Sequence, residues 1–192
     1  SMVPEVEGNH ELSEVDKWII FETNELISLS RDRYNVYDFH NPGIKIKNFI
    51  WETFASHYLE LVKSRAYNED GTFSKEEQNG ALFTLNYCLD VILKLLAPII
   101  PFITFRLFND LRGKDIHAES FPEVEHDFKV SFTKEDIENI NGAIWKYKKD
   151  NEMSLKDDLD VVTIPEKLKV LAKDIQAMHK IKNLSFGNEF KI

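Results

Sequence analysis

Apolar residues recur at three- and four-residue steps through the first half of the chain, and polar caps punctuate them. Ser13-Glu14-Val15-Asp16 has the form of a capped helix start, after which Val15, Trp18, Ile19, Leu26 and Leu29 share one face. A break follows at 35–40. Asn41-Pro42 then offers a cap with proline at the first helical position, and the spacing predicts a second helix with Ile46, Phe49, Ile50, Phe54, Leu61 and Val62 inward. It stops near Tyr67 at Asn68-Glu69-Asp70-Gly71. Ser74 and Glu77 form the next capping box, opening a helix whose predicted inner face is Leu82, Leu85, Leu89, Ile92, Leu93 and Leu96, ended by Pro98. A shorter helix over 101–111 sets Phe102, Phe105, Phe108 and Leu111 at three-residue steps before Gly113, a C-cap residue. Four amphipathic helices with short connections predict an antiparallel bundle.

The pattern then changes. Residues 115–131 show no period and read as an extended segment laid across the bundle. Thr133-Lys134-Glu135-Asp136 opens a helix carrying Ile137, Ile140, Ile144 and Tyr147. Beyond it, 159–164 and 181–186 read as strands flanking a helix led by Pro165, with Leu168, Leu171, Ala172, Ile175 and Met178 inward. That order predicts a βαβ unit with parallel strands and a right-handed crossover. The expected architecture is mainly α: an antiparallel four-helix bundle with a small C-terminal α/β annex. Residues 1–10 read as tag and linker, 11–132 as the bundle and 133–192 as the α/β subdomain.

Composition narrows the function classes. The chain has 192 residues and a formal net charge of -9, more than half of it from Glu5, Glu7, Glu11, Glu14 and Asp16. Such a balance disfavours strong nonspecific nucleic-acid binding, because phosphate attraction scales with the lysine and arginine supplied. RNA contact would have to use local basic patches. A single cysteine, Cys88, allows no intrachain disulfide and fits a cytoplasmic origin; on a leucine-rich helix it reads as core filling. The most apolar stretch, 91–103, is interrupted by Lys94, Pro98 and Pro101, so no membrane partner is expected.

Catalytic patterns are missing. The glycines are scattered without phosphate-loop spacing, and His10, His40, His57, His117, His126 and His179 form no metal-ligand pair. Neither a metal nor a cofactor is expected in this chain. Glu76-Glu77 and Asp157-Asp158 are adjacent pairs that fit caps and solvated surface better than an acid/base dyad. The informative cluster lies where the first helix ends and the second begins. Arg31, Arg33, Lys45, Lys47, Asn48 and Trp51 combine cations, an amide and an aromatic plane, the groups that hold phosphates and stack unpaired bases. Alternatively, Trp51 fills the core and the lysines solvate a face. A second basic set, Lys146, Lys148, Lys149, Lys167, Lys169, Lys173, Lys180 and Lys182, reads as plain solvated surface.

Several phrases together resemble the helical domain that follows the catalytic core in valyl-, isoleucyl- and leucyl-tRNA synthetases of class I. They are Asp16-Lys17-Trp18-Ile19; Phe49-Ile50-Trp51-Glu52 with Phe54 and Tyr58-Leu59-Glu60; Leu96-Ala97-Pro98-Ile99-Ile100-Pro101-Phe102; and Ile116-His117 with Phe121-Pro122. The match covers about 12–122, and Phe-Ile-Trp-Glu before Tyr-Leu-Glu is most similar to the valyl branch. The tail from Ile144-Trp145 through Met153-Ser154-Leu155 resembles the C-terminal subdomain of archaeal-type valyl enzymes. Two departures stand out: Phe105-Arg106-Leu107-Phe108, where the family carries two acids and a tryptophan, and Asp115, where it carries serine. The resemblance implies a tRNA partner, the anticodon stem and loop of valine tRNA, gripped near the start of the second helix. It also implies a catalytic core in the same polypeptide, an ATP- and Mg-dependent valine-tRNA ligase, because His-x-Gly-His and Lys-Met-Ser-Lys-Ser are absent here. The alternatives are an isoleucyl or leucyl parent, or a helical protein-interaction module that never touches RNA.

Overall fold

The computed structural model describes residues 8–124 and 128–192. The tag-and-linker expectation therefore lies outside the described residues as far as Glu7, as does His126.

Three helix starts are fixed by reciprocal capping. In α1 (Glu14–Tyr34), α4 (Lys75–Leu96) and α6 (Lys134–Asp150), the side chains of Ser13, Ser74 and Thr133 accept from the third helical N–H. Asp16, Glu77 and Asp136 return the contact to the cap backbone, so two orphan donors are satisfied at each end. The second helix is one rod in three parts: α2 (His40–Asn48), a π-helical segment (Phe49–Tyr58) and α3 (Leu59–Tyr67). Its start corrects the expectation of an Asn41 cap. The Asp38 carboxylate accepts from both the backbone and the side-chain amide of Asn41, while Pro42 is buried. Asn68 ends the rod in a left-handed conformation.

The π segment departs from the regular helical period that the spacing predicts, and it changes which residues face inward. Its wider turn lets Ser56 donate to the Trp51 carbonyl five residues back, and brings Thr53, His57 and Tyr58 into the core beside Phe49. Ile50 and Phe54 are only half-buried. In α4 the core face is Ala81, Thr84, Cys88, Val91 and Leu95, with Ile92 and Leu93; Leu82, Leu85, Leu89 and Leu96 are half-buried. The expected leucine face is thus rotated, because small Ala81, Thr84 and Cys88 permit the close approach of α1 that leucines would prevent. Cys88 does fill the core, its thiol beside the Thr23 hydroxyl and pushed by burial up to about 12. Although α4 is long and apolar enough to cross a membrane, half of its most apolar window is buried as the central helix of the bundle.

In α5 (Pro101–Arg112) the expectation fails in part. Phe108 is buried with Leu93, Ala97 and Ile116, but Phe102 and Phe105 face solvent. Gly113 caps this helix at φ 66°. Beyond it, as far as Val124, the chain forms neither α-helix nor strand and makes one 3-10 turn at Ile116–Ala118, where Asp115 caps the His117 N–H. Asp115 therefore supplies the acceptor that a serine would.

The annex pairs β1 (Leu159–Pro165) with β2 (Ile181–Gly187) in parallel, Leu159 opposite Ile181 and Pro165 opposite Gly187. Between them the chain makes a 3-10 helix (Glu166–Leu171) before α7 (Ala172–His179), rather than one helix from Pro165. Val162, Ile164, Leu168 and Ile175 join the same hydrophobic cluster as Trp18, Leu61 and Leu95 of the bundle. A buried guanidinium reinforces that seam. Arg65 of α3 donates twice to Asp16 of α1, at 2.6 and 2.9 Å, and once to Asp174 of α7 at 3.0 Å. Tyr58 donates to the same Asp16 at 2.9 Å. Burial lifts the Asp174 carboxyl to about 6 although Arg65 pulls it down.

One annex lysine corrects the solvated-surface expectation. Lys148 is 0% exposed, its ammonium held by the carbonyls of Leu155, Asp157 and His179 at 2.7–3.1 Å. It acts as a cationic cap on the C-terminus of α7. Four others on that surface are paired with acids: Lys167 with Asp136, Lys169 with Glu166, Lys173 with Glu77 and Lys182 with Asp160.

Candidate nucleic-acid interface

The end of α1, the start of α2, the end of α4 and the start of α5 meet at one end of the bundle. Tyr34 organises this end: its hydroxyl donates to the Leu95 carbonyl at 2.8 Å, and its ring stacks on Phe39 and meets Phe121 edge-on. Burial pushes its phenol up to about 12, so it stays a neutral donor. The turn after α1 is closed by hydrogen bonds from Val36 and Asp38 to the Arg33 carbonyl. This closure holds Tyr37 at φ 58°, a conformation costly for an aromatic residue, and presents its ring 85% exposed. Gly43, in the first turn of α2, leans on the α4–α5 turn; a Cβ there would lie 3.4 Å from Ile99. On the α5 side Phe102 is 89% exposed, with Ile100 and Ile103 beside it.

The expected site residues divide into four groups. Lys45 and Asn48 line a groove of about 510 Å³ between α1 and the α2 rod, floored by Leu26, Leu29, Phe49 and Thr53. Lys47 and Trp51 are exposed one turn apart on the same rod; at 74% exposure Trp51 is not a core residue. Arg33 is exposed and only loosely paired with Asp38, at 4.0 Å. Arg31 is committed elsewhere, donating to the Pro122 carbonyl at 2.9 Å with its guanidinium 5.5 Å from the Phe121 ring centre. It straps the extended segment to α1 through that bond, while the residue as a whole stays exposed.

Sequence reasoning missed Tyr37 and Phe102, and the acids Glu22, Glu25 and Glu52 with Lys134 on the groove walls. The signal for Tyr37 is the density of aromatics in Tyr34-Asn35-Val36-Tyr37-Asp38-Phe39, outside any helical period. Phe102 carries none, since its place at three-residue spacing fits an inward face equally well. Chemically, this end offers flat rings for stacking, cations for phosphates, and a groove edged with hydrogen-bonding groups.

Comparison with known proteins gives this geometry a context. The chain is 37% identical to a valine-tRNA ligase of Pyrobaculum aerophilum over 96% of its length, and 33% identical to that of Aeropyrum pernix over 94%. A valine-tRNA ligase of Archaeoglobus fulgidus is 34% identical over 86% of the chain. In each case the chain spans only about a fifth of the relative's length, 23%, 23% and 19% respectively. The family model for the anticodon-binding domain of tRNA ligase matches residues 16–163, thus the bundle, α6 and most of β1. By that match the chain belongs to the anticodon-binding domains of tRNA ligases.

Proposed function

We propose that this chain is the anticodon-recognition module of a cytoplasmic valyl-tRNA synthetase, holding valine tRNA for charging by a catalytic core outside the chain. That core would carry the ATP- and Mg-dependent activation of valine, for which this chain contains no signature. The observation that best supports the reading is the exposure of Tyr37 and Phe102 at the bundle end, and of Trp51 with the cations Lys45, Lys47 and Arg33 on the rod and turn that lead from it. Exposed rings next to cations match the requirements of a splayed RNA loop, in which bases stack and phosphates set register. The valyl assignment draws on the similarity to archaeal valine-tRNA ligases.

The test uses the full-length parent. Replacing Lys45 and Lys47 together by alanine removes two exposed cations and should lower tRNA charging efficiency roughly 5-fold to 150-fold. Valine-dependent pyrophosphate exchange and the melting temperature should stay at wild-type levels. Trp51→Ala should behave the same way, because the ring contributes little to the core. Wild-type charging by both variants would remove this face from the tRNA contact.

A further inference from the structure

The groove between α1 and the α2 rod has a composition that phosphate binding does not explain. Its floor is apolar, from Leu26, Leu29 and Phe49, with the buried Thr53 alongside. Two of the α1 residues on its wall are acids, Glu22 and Glu25, and Asn48 and Lys45 stand opposite. The ion pairs at its α6 end join Lys134 to Glu52 at 3.9 Å and to Glu138 at 3.3 Å, rather than to Glu22 or Glu25. Glu22 is half-buried; burial and the neighbouring Glu25 push its carboxyl up, against the opposite pull of Trp18 and Lys134. A polyanion backbone would be repelled by such a wall. A neutral planar ring with amino hydrogens on one edge would not.

We infer that this groove seats one unstacked base and that Glu22 and Glu25 select it by accepting hydrogen bonds from the exocyclic amine that adenine and cytosine carry at the position where guanine and uracil carry a carbonyl. The base would lie on Leu26, Leu29 and Phe49, Asn48 would supply an amide donor and acceptor to the same edge, and Lys45 would reach the flanking phosphate. Uracil turns a carbonyl oxygen toward the acids and is rejected. The inference rests on the anticodon reading above. Valine codons begin with G and U, so a valine anticodon has adenine at its centre followed by cytosine, and both carry the amine.

The experiment titrates the chain, at low salt, with RNA hairpins bearing a valine anticodon loop, using fluorescence anisotropy. Companion hairpins replace the adenine by purine, which lacks the amine, or the cytosine by uracil. For at least one replacement the wild-type chain should bind roughly 5-fold to 150-fold more weakly. The Glu22→Gln, Glu25→Gln double variant keeps the side-chain shape but can turn an amide N–H toward a carbonyl. It should therefore lose the preference, with affinity for the uracil hairpin equal to or above wild type. Unchanged discrimination in that variant, or a wild-type chain indifferent to both replacements, would overturn the assignment while leaving anticodon recognition intact. Failure to bind any hairpin would bring down both readings.

Discussion

Lys148 illustrates how far a single residue can depart from its ordinary place. A lysine with no exposure survives because three carbonyls take its three protons, and because the C-terminus of α7 adds a favourable field. Desolvation pushes its ammonium downward, but the neighbouring Asp157 and Asp158 oppose this. Lys148→Met preserves the stem packing and strands the carbonyls, so unfolding by denaturant should show a loss of about 3 kcal/mol. A change within the scatter expected of surface substitutions, about 0.5 kcal/mol, would mean that water replaces the ammonium. In sequence, Lys148 is one lysine in Lys146-Tyr147-Lys148-Lys149, and nothing local separates it from its solvated neighbours. Its burial is decided by the return of the chain at Leu155 and His179, contacts that a linear reading does not contain. The candidate site residues divide along the same line: type and spacing single out Lys45 and Asn48, which line the groove, whereas the exposure of Phe102 and the bond from Arg31 to Pro122 depend on what packs beside them.

At the scale of elements, helix starts are legible and helix faces less so. A capping box is a four-residue pattern that carries its own hydrogen bonds, which is why Ser13, Ser74 and Thr133 mark their helices unaided. Which face turns inward depends on neighbouring elements, and in the α2 rod on a change of helical pitch that periodicity cannot register. The seam between bundle and annex contains a buried relay of the same long-range kind. Asn141 of α6 donates to His57 Nδ1 at 3.1 Å and accepts from His179 Nε2 at 2.9 Å, with Trp145 packed against both rings. Burial lowers His179 from 6.5 to about 4 and lowers His57 as well. Both fold as neutral rings, so the unfolded chain binds more protons and stability falls as pH drops from 6.5 toward 4. Asp174, lifted to about 6, contributes with the opposite sign as pH falls through 6. Comparison with His179→Gln cancels that contribution. The stability advantage of wild type over the variant should shrink by on the order of 3 kcal/mol across this window. Parallel pH profiles would show that His179 does not titrate with unfolding.

For the whole molecule, the low net basicity sets an expectation about strength. An anticodon hairpin should bind the isolated chain weakly, and its affinity should fall steeply between low and physiological salt, because the few cations involved are exposed and screened. A salt-independent isotherm would favour a protein partner over RNA. The opposite end of the bundle has its own attachment: Glu11 donates to the Glu76 carbonyl, Asn79 to that of Asn9, and His10 stacks on Phe83 at 4.3 Å. Gly80 is required beneath this strap, since a Cβ there would collide with the Glu11 carbonyl. The rod from His40 to Tyr67 thus carries Lys45 and Asn48 toward one end and Arg65 toward the other, with the π segment, which bears Trp51, between them. That segment works as a phase shifter: its loose winding sets the angular offset between the face that reads and the face that anchors. Deleting one residue between Trp51 and Tyr58 would leave the rod helical yet change that offset, so that reader and anchor could no longer both face their partners.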